Sequence, residues 1–270
     1  MRDNRTGWRQ SQMHSSPARS ITEVARLREA LDERIEFIED MSHELRGGLT
    51  FVRGYVDLFL AGTLGPLDQR QEHALRVIER RTDAIVSLLD QMLSLERARA
   101  GHLELSSDVD LSELVHHTVQ GAAVVARQAG VALNVSAPET CFMAKADCRR
   151  LGQALDNLIG NAIKFSEEGS EVAIRLEDGA TAVSLSVEDQ GIGIGPEDLE
   201  HVFERFYRSS EAANKSSGSG LGLVISRAIV EAHGGRIWAE SVQGEGTTFH
   251  INLPKAGPSS NGKAGAPASA

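Results

Sequence analysis

The stretch from Phe37 to Thr50, FIEDMSHELRGGLT, lies inside a heptad pattern that leaves this chain few ways to fold. Taken every seventh residue, one series runs Ile21, Arg28, Ile35, Ser42, Leu49 and Val56. The series three places on runs Val24, Leu31, Ile38, Leu45, Val52 and Phe59. All but Arg28 and Ser42 are apolar, the pattern of one helix packing along another. The spacing predicts a first helix over about 21–61. His43 falls one place after a seam position, so it faces out at the rim, with Glu44 directly after it. An exposed helical histidine is by itself ordinary surface. A carboxylate beside it changes its chemistry, because the acid can hold the imidazole tautomer and take up a proton as a general base.

Gly47 and Gly48 stand side by side in the same stretch. Each costs about 0.8–1 kcal/mol against Ala in a helix interior, so the pair predicts a soft point or bend beside His43. AGTLGPLD, residues 61–68, reads as a turn. A second helix follows over about 68–100, with a stripe of Leu75, Ile78, Thr82, Ile85, Leu89 and Met92, widened by Leu88 and Leu95. Two long helices joined by a short turn make an antiparallel hairpin. A lone hairpin cannot bury both stripes, which predicts a homodimer closed as a four-helix bundle.

Size and charge narrow the rest. At 270 residues the chain makes one large domain or two small ones. A net charge of -10 excludes non-specific nucleic-acid binding, which needs a basic face. No stretch approaches the ~20 apolar residues of a membrane-spanning helix. No apolar signal region follows Met1, and the protein reads as cytoplasmic. Cys141 and Cys148 lack metal or redox spacing and read as small buried or half-buried thiols. His116 and His117 point in different directions on a helix, and His73, His102, His201, His233 and His250 have no partner legible in the sequence.

From about Ser107 the texture changes. LSELVHHTVQGAAVVARQAG, CRRLGQALDNLIGNAIKFS and LGLVISRAIVEAHGG carry helical periodicity, and GPEDLEHVF reads as a short helix. VALNVSAP, CFMAKAD, EVAIRLEDG, TAVSLSVED, GRIWAES and TTFHINLP read as strands. Helices on one side of such strands make a two-layer α/β sandwich. The fold class is therefore α+β: residues 1–20 a disordered tail, 21–100 the hairpin, 101–107 a linker, 108–254 the sandwich domain, and 255–270 a second disordered tail.

Four pieces of the second half belong together. Asn157 and Asn161, at i and i+4, share a helix face with Lys164, with Phe165 after it. Amide oxygens suit a hard cation such as Mg²⁺, and a lysine suits phosphate. DQGIGI, residues 189–194, puts Asp189 at a strand end before Gly191 and Gly193. A buried carboxylate there accepts a hydrogen bond from an adenine amine, while the glycines let backbone approach the ring. FERFYR, residues 203–208, is an aromatic turn that ends in Arg208. GSGLGL, residues 218–223, opens a helix and forms an anion cradle, with the polar residues 209–217 as a lid. No GxxxxGK[ST] pattern occurs, so this is not a P-loop site.

Together these motifs resemble the kinase core of a two-component sensor histidine kinase. SHELRGGLT resembles the H box, DNLIGNAIKF the N box, DQGIGI the first glycine box, FERFYR the F box, GSGLGL the second glycine box, and GEGTTF, residues 244–249, a closing motif. The likeness covers about residues 35–253. It implies a Bergerat-type ATP-binding domain using ATP and Mg²⁺. His43 would be the phosphoacceptor and Glu44 the base that deprotonates it. Asn161 would hold Mg²⁺ with help from Asn157, Lys164 and Arg208 would face the phosphates, and Phe165 would pack near the adenine. Asp189 would bind the adenine amine beside Gly191 and Gly193. Gly218, Gly220, Leu221 and Gly222 would form the lid's hinge and cradle, and Thr247 belongs to the closing motif. The phosphate would pass to an aspartate on a response-regulator receiver domain.

Two departures stand out. The family commonly has Thr-Pro or Asn-Pro where this chain has Gly47-Gly48. The missing side chain at Gly47 implies weak phosphatase activity toward the regulator. No sensor domain or membrane anchor is evident, which implies an excised core or a separate sensor protein docking near the first helix. Two rival readings compete: a catalytically silent dimeric scaffold, and a Bergerat-type ATPase. The latter needs a water-activating carboxylate where Asn157 stands, and an amide cannot serve as that base.

Overall fold

The computed structural model describes residues 17–256 apart from 102, 107, 108, 144 and 217. In the first helix the side chains described are those of Arg26, Ala30, Glu33 and everything from Ile35 onward, so the seam residues Ile21, Val24, Arg28 and Leu31 lie outside them. Most of the two expected tails, and His102, likewise lie outside the described residues.

Helix α1 spans Pro17–Leu60, and α2 spans Gln69–Arg99. The first begins inside the stretch expected as tail, because proline is well accommodated in a helix's first turn and nothing earlier than the seam forbids helix there. It runs unbroken through Gly47 and Gly48. A Cβ built on either glycine would meet no atom within 4 Å, so the pair answers no steric need within the chain. Asp68 starts α2 with a reciprocal cap. Its Oδ1 accepts from the backbone N–H groups of Arg70 and Gln71 at 2.8 Å, and the Gln71 Oε1 accepts from the Asp68 N–H at 2.9 Å.

The seam divides. Ile35, Ser42 and Val56 of the first series are buried against α2, Ser42 included although it is polar. Leu45, Val52 and Phe59 of the second series stay exposed, as do Ile78, Ile85, Leu88 and Met92 on α2. One hairpin offers each helix one partner, so only one series finds cover. Arg53 and Asp83, at 2.7 Å, and Arg97 and Glu39, at 2.6 Å, join the two helices at their edges.

The second half is a two-layer sandwich. Its elements are β1 (Val109–Asp110), α3 (Leu111–Gln128), β2 (Ala132–Ser136), β3 (Phe142–Met143), α4 (Cys148–Phe165), β4 (Glu171–Asp178), β5 (Ala182–Asp189), α5 (Pro196–Leu199), α6 (Ser210–Lys215), α7 (Gly222–Ala232), β6 (Arg236–Val242) and β7 (Gly246–Pro254). The main sheet has the order β2-β4-β5-β7-β6, with β2 and β4 parallel and the other pairs antiparallel; β1 and β3 form a separate ribbon. Strand β4 buries Val172, Ile174 and Leu176 and turns the residues between them outward, the alternation of a sheet covered on one face. Those residues meet Leu158, Ile159 and Ile163 of α4 and Ile225 and Ile229 of α7 in one core. Lys255 continues the ordered chain past β7. Its Nζ lies 2.5 Å from Asp178, and its N–H donates to Thr181.

His233 and Cys148 behave otherwise than the sequence suggested, while Cys141 is buried as expected. His233 is fully buried: its Nε2 accepts from the Asp147 N–H at 3.0 Å and its Nδ1 meets the Ile229 carbonyl at 2.8 Å. Burial holds its pKa below the ordinary histidine value, so it is a neutral link between α7 and the start of α4. Cys141 is buried, and burial followed by its bond to Asp178 pushes the thiol up to about 12; Cys148, by contrast, is exposed at the first turn of α4.

The two halves touch through the last turns of α2. Leu95 and Ala98 are buried in the sandwich core. Glu96, 3% exposed, pairs with Arg205 at 2.9 Å. The Ser219 hydroxyl donates to Gln91 Oε1 at 2.6 Å.

Candidate active site

A cavity of about 280 Å³ opens between α4, the end of β5, the loop before α7 and β7. Helix α4 presents Asn157, Asn161, Lys164 and Phe165 to it, the face expected from their spacing. Asn157 Nδ2 donates to the Gly222 carbonyl at 3.1 Å, which commits the amide nitrogen and leaves its oxygen for a cation. Lys164 Nζ lies 4.9 Å from the Phe165 ring centroid. Burial, and after it the nearby Arg208, hold the Lys164 pKa below the usual lysine value. An anion entering here would relieve both effects.

Asp189 closes the floor at the end of β5, 6% exposed. Its Oδ1 accepts from the Gly191 N–H at 2.9 Å. Burial raises the carboxyl to about 6, against the pull of the Gly191 and Thr247 backbone N–H groups. Thr247 sits opposite Asp189 in the β5–β7 register. A side chain at Gly191 would strike the Phe165 carbonyl, and Gly193 has φ +64 with the Val242 carbonyl pressed against it. Both glycines are therefore required by close backbone approach. Gly191 shapes the floor without lining the cavity, whereas Gly193, Gly218, Gly220, Gly222 and Thr247 line it.

Two expected residues are used differently. Arg208 borders the cavity, but its Nη2 donates to the carbonyls of Ala212, at 2.8 Å, and Ser216, and its Nη1 to that of Gly218. In this arrangement it holds the lid segment together. Leu221 is 1% exposed and belongs to the core beneath the cradle, because its side chain points back from the start of α7 into the apolar layer. The lid contains α6, whose Lys215 donates to the Phe165 and Ser166 carbonyls at 2.6 and 3.1 Å. A cation there meets the negative end of α4.

Sequence reasoning missed the apolar walls, Ile192, Ile194, Val202, Leu223 and Phe249, and also Tyr207 and Gln91. The isoleucines of DQGIGI were a readable signal, since an adenine-sized ring needs apolar faces. Gln91 was not readable, because it comes from the hairpin.

His43 and Glu44 lie outside this cavity. His43 is exposed on α1, one residue after the buried Ser42, as the heptad phase required. It lines a separate cleft of about 810 Å³ between the hairpin and the α3–α4 side of the sandwich. Glu44 is exposed beside it and borders neither space.

The chemistry on offer is a buried acceptor for an amine, apolar walls for a ring, and amides and a lysine for a cation and phosphates. Residues 33–101 match the family described as His Kinase A (phospho-acceptor) domain, and residues 146–257 match Histidine kinase-, DNA gyrase B-, and HSP90-like ATPase. The catalytic domain of histidine kinase ThkA is 31% identical with a TM-score of 0.51, and the match covers 57% of this chain and 99% of that one. The chain belongs to the two-component histidine kinases.

Among curated members, the Bacillus subtilis sensor histidine kinase WalK is 34% identical over 226 residues, 82% of this chain and 37% of that kinase. Mycobacterium tuberculosis TrcS is 38% identical over 224 residues, 81% of this chain and 43% of that kinase. The chain thus spans about two fifths of the length of these relatives. Full-length ShkA, solved in complex with AMPPNP, is 28% identical with a TM-score of 0.68 over 83% of this chain and 47% of that one. No helix among the described residues is long and apolar enough to cross a membrane.

Proposed function

We propose that this chain is an ATP-dependent protein-histidine kinase core that phosphorylates its own His43 and passes the phosphoryl group to an aspartate of a receiver domain. The observation that carries the reading is the cavity that joins Asp189, Asn157, Asn161 and Lys164 in a chain that also holds an exposed His43 beside Glu44. Asp189 accepts the adenine amine, Phe165 and the isoleucines flank the ring, and Lys164 meets the phosphates. The α4 amide oxygens fit Mg²⁺, which keeps most of its shell as water and phosphate and takes few protein ligands. Asn161 would hold it with help from Asn157, and the ion when bound neutralises charge on the phosphates. Among the described residues no cluster of acids and histidines offers a competing metal site.

An imidazole nitrogen of His43 attacks the γ-phosphorus in line. The N–P bond forms as the bond to the β–γ bridging oxygen breaks, and ADP leaves with that electron pair. Glu44 accepts the ring proton, worth about 10²–10⁴ in rate for general-base assistance. A receiver carboxylate then takes the phosphoryl group as the N–P bond breaks. The nucleotide cavity and His43 open into different spaces here, so transfer within one chain requires the sandwich to leave its seat on α2. The exposed stripes of α1 and α2 fit a homodimer closed as a four-helix bundle. Gly47 offers no side chain to position water, which supports weak phosphatase activity on the regulator. The ATP requirement puts the core in the cytoplasm.

The test is to supply γ-labelled ATP and Mg²⁺, digest the chain and map the label. Label on the peptide containing His43 is expected. Label on another residue, or ATP hydrolysis with no labelled peptide, overturns the reading.

A further inference from the structure

Arg150, in the first turn of α4, is 4% exposed. Its Nη1 donates to Ser94 Oγ at 2.7 Å and reaches Gln153 Oε1 at 3.5 Å, and its buried Nε has no partner. Among the described residues no carboxylate stands within ion-pair distance of it. Burial, followed by the neighbouring Arg149, pulls its pKa below the usual arginine value, against the weaker pull of Asp147 and Glu104, neither of which pairs with its guanidinium. A guanidinium taken out of water whose hydrogen-bond partners are all neutral is costly unless an anion joins it.

Arg150 lines the same 810 Å³ cleft as His43. Three further arginines border that cleft, each with an acid nearby. Arg46 pairs with Asp90, Arg97 with Glu39 at 2.6 Å, and Arg149 lies 3.9 Å from Glu104. The other acid on the cleft, Asp156, has its pKa raised by burial. The deepest cation of the cleft is therefore the one with no acid at ion-pair distance, and His43, the acceptor in the proposed reaction, lines the same cleft, as does His117.

We propose that this cleft is a phosphoryl-binding site whose occupant is the phosphoryl group on His43, received by Arg150 with help from Arg149. The inference rests on His43 being the phosphoacceptor. One face of the sandwich then delivers the phosphate, and another, docked as here, shelters it. Sheltering slows hydrolysis, in which water attacks phosphorus, the P–N bond breaks, and the imidazole nitrogen leaves with the electron pair and takes a proton. The dianion also bridges α1 to α4, so phosphorylation tightens the docked arrangement.

The test follows label decay on the full chain after γ-labelled ATP is removed and Mg²⁺ chelated. Wild type is compared with Arg150→Gln, Arg150→Lys and Arg149→Gln. The label should decay at least about fivefold faster in Arg150→Gln, near the wild-type rate in Arg150→Lys, and about twofold faster in Arg149→Gln. Arg149 is exposed, so its variant keeps the test alive if Arg150→Gln fails to fold. Equal lifetimes in every folded protein overturn the proposal while leaving the kinase reading intact. A wild type that takes no label overturns both. In parallel, unphosphorylated protein is titrated with inorganic phosphate by ³¹P NMR. Arg150-dependent phosphate binding with unchanged label lifetimes makes this a site for a free ligand and overturns His43 as the source.

Discussion

The hairpin and the sandwich solve burial in opposite ways. The sandwich closes on itself, with Leu158, Ile159, Ile174, Ile225 and Ile229 fully buried between sheet and helices. The hairpin leaves Phe51 70% exposed and Leu45 46% exposed along α1, although the last turns of α2 are covered by the sandwich. An apolar stripe left uncovered marks an interface. The difference teaches where each function can sit. A pocket that must hold a ligand precisely is built on the self-sufficient body. The proposed acceptor, His43, stands instead on the body whose apolar stripe this chain leaves uncovered.

The sharpest way to break this comparison is one kind of truncation in both regions. Leu158→Ala should cost about 2–5 kcal/mol of sandwich stability, read by thermal or denaturant unfolding, because it opens a cavity in a closed core. Leu45→Ala should leave unfolding of a dilute monomer nearly unchanged and weaken self-association, read by sedimentation across a concentration series. Equal effects of both changes on a monomer would show that the hairpin needs no partner.

Next in size is the pocket floor. Asp189→Asn should lose about 1.5–3 kcal/mol of nucleotide binding, the scale of a hydrogen bond to a charged group, with the fold retained. Calorimetric titration with ATP measures it, and unchanged affinity would remove the adenine role.

The same residue gives a pH dependence. Its folded pKa is raised to about 6, so the folded state holds that proton more tightly than the unfolded chain. The stability this contributes is fully present below the ordinary carboxylate pKa and is lost as pH rises through about 6. Nucleotide binding runs the other way, because only the ionised carboxylate accepts on both oxygens. ATP affinity should fall by up to about tenfold per pH unit below pH 6, and this slope should vanish in Asp189→Asn.

The smallest expected effect returns to the hairpin. Gly47→Ala and Gly48→Ala should each stabilise it by about 0.8–1 kcal/mol from helix propensity alone, since no atom stands near either Cβ position. Slower phosphoryl transfer in these stabilised variants would show that the helix's softness is used.

Much of this was legible in local pattern. The heptad phase put Ser42 inside and His43 out, and the i, i+4 spacing put Asn157 and Asn161 on the cavity. These are consequences of helix geometry and need no knowledge of neighbours. What was not legible depends on which bodies meet. Half of the α1 seam is bare because no element among the described residues covers Leu45, Val52 and Phe59. Gln91 borders the nucleotide cavity only because α2 carries the sandwich. Arg208 was expected at the phosphates, and lid carbonyls claim it. His233 looked idle in sequence, since a backbone N–H 86 residues away gives no local signal.

The most direct measurement of the central claim compares wild type, His43→Gln and Asp189→Asn for acid-labile, base-stable label from γ-labelled ATP, with ATP affinity measured on the same samples. The account predicts label on wild type alone, with ATP affinity kept in His43→Gln and largely lost in Asp189→Asn. Label on His43→Gln would contradict it.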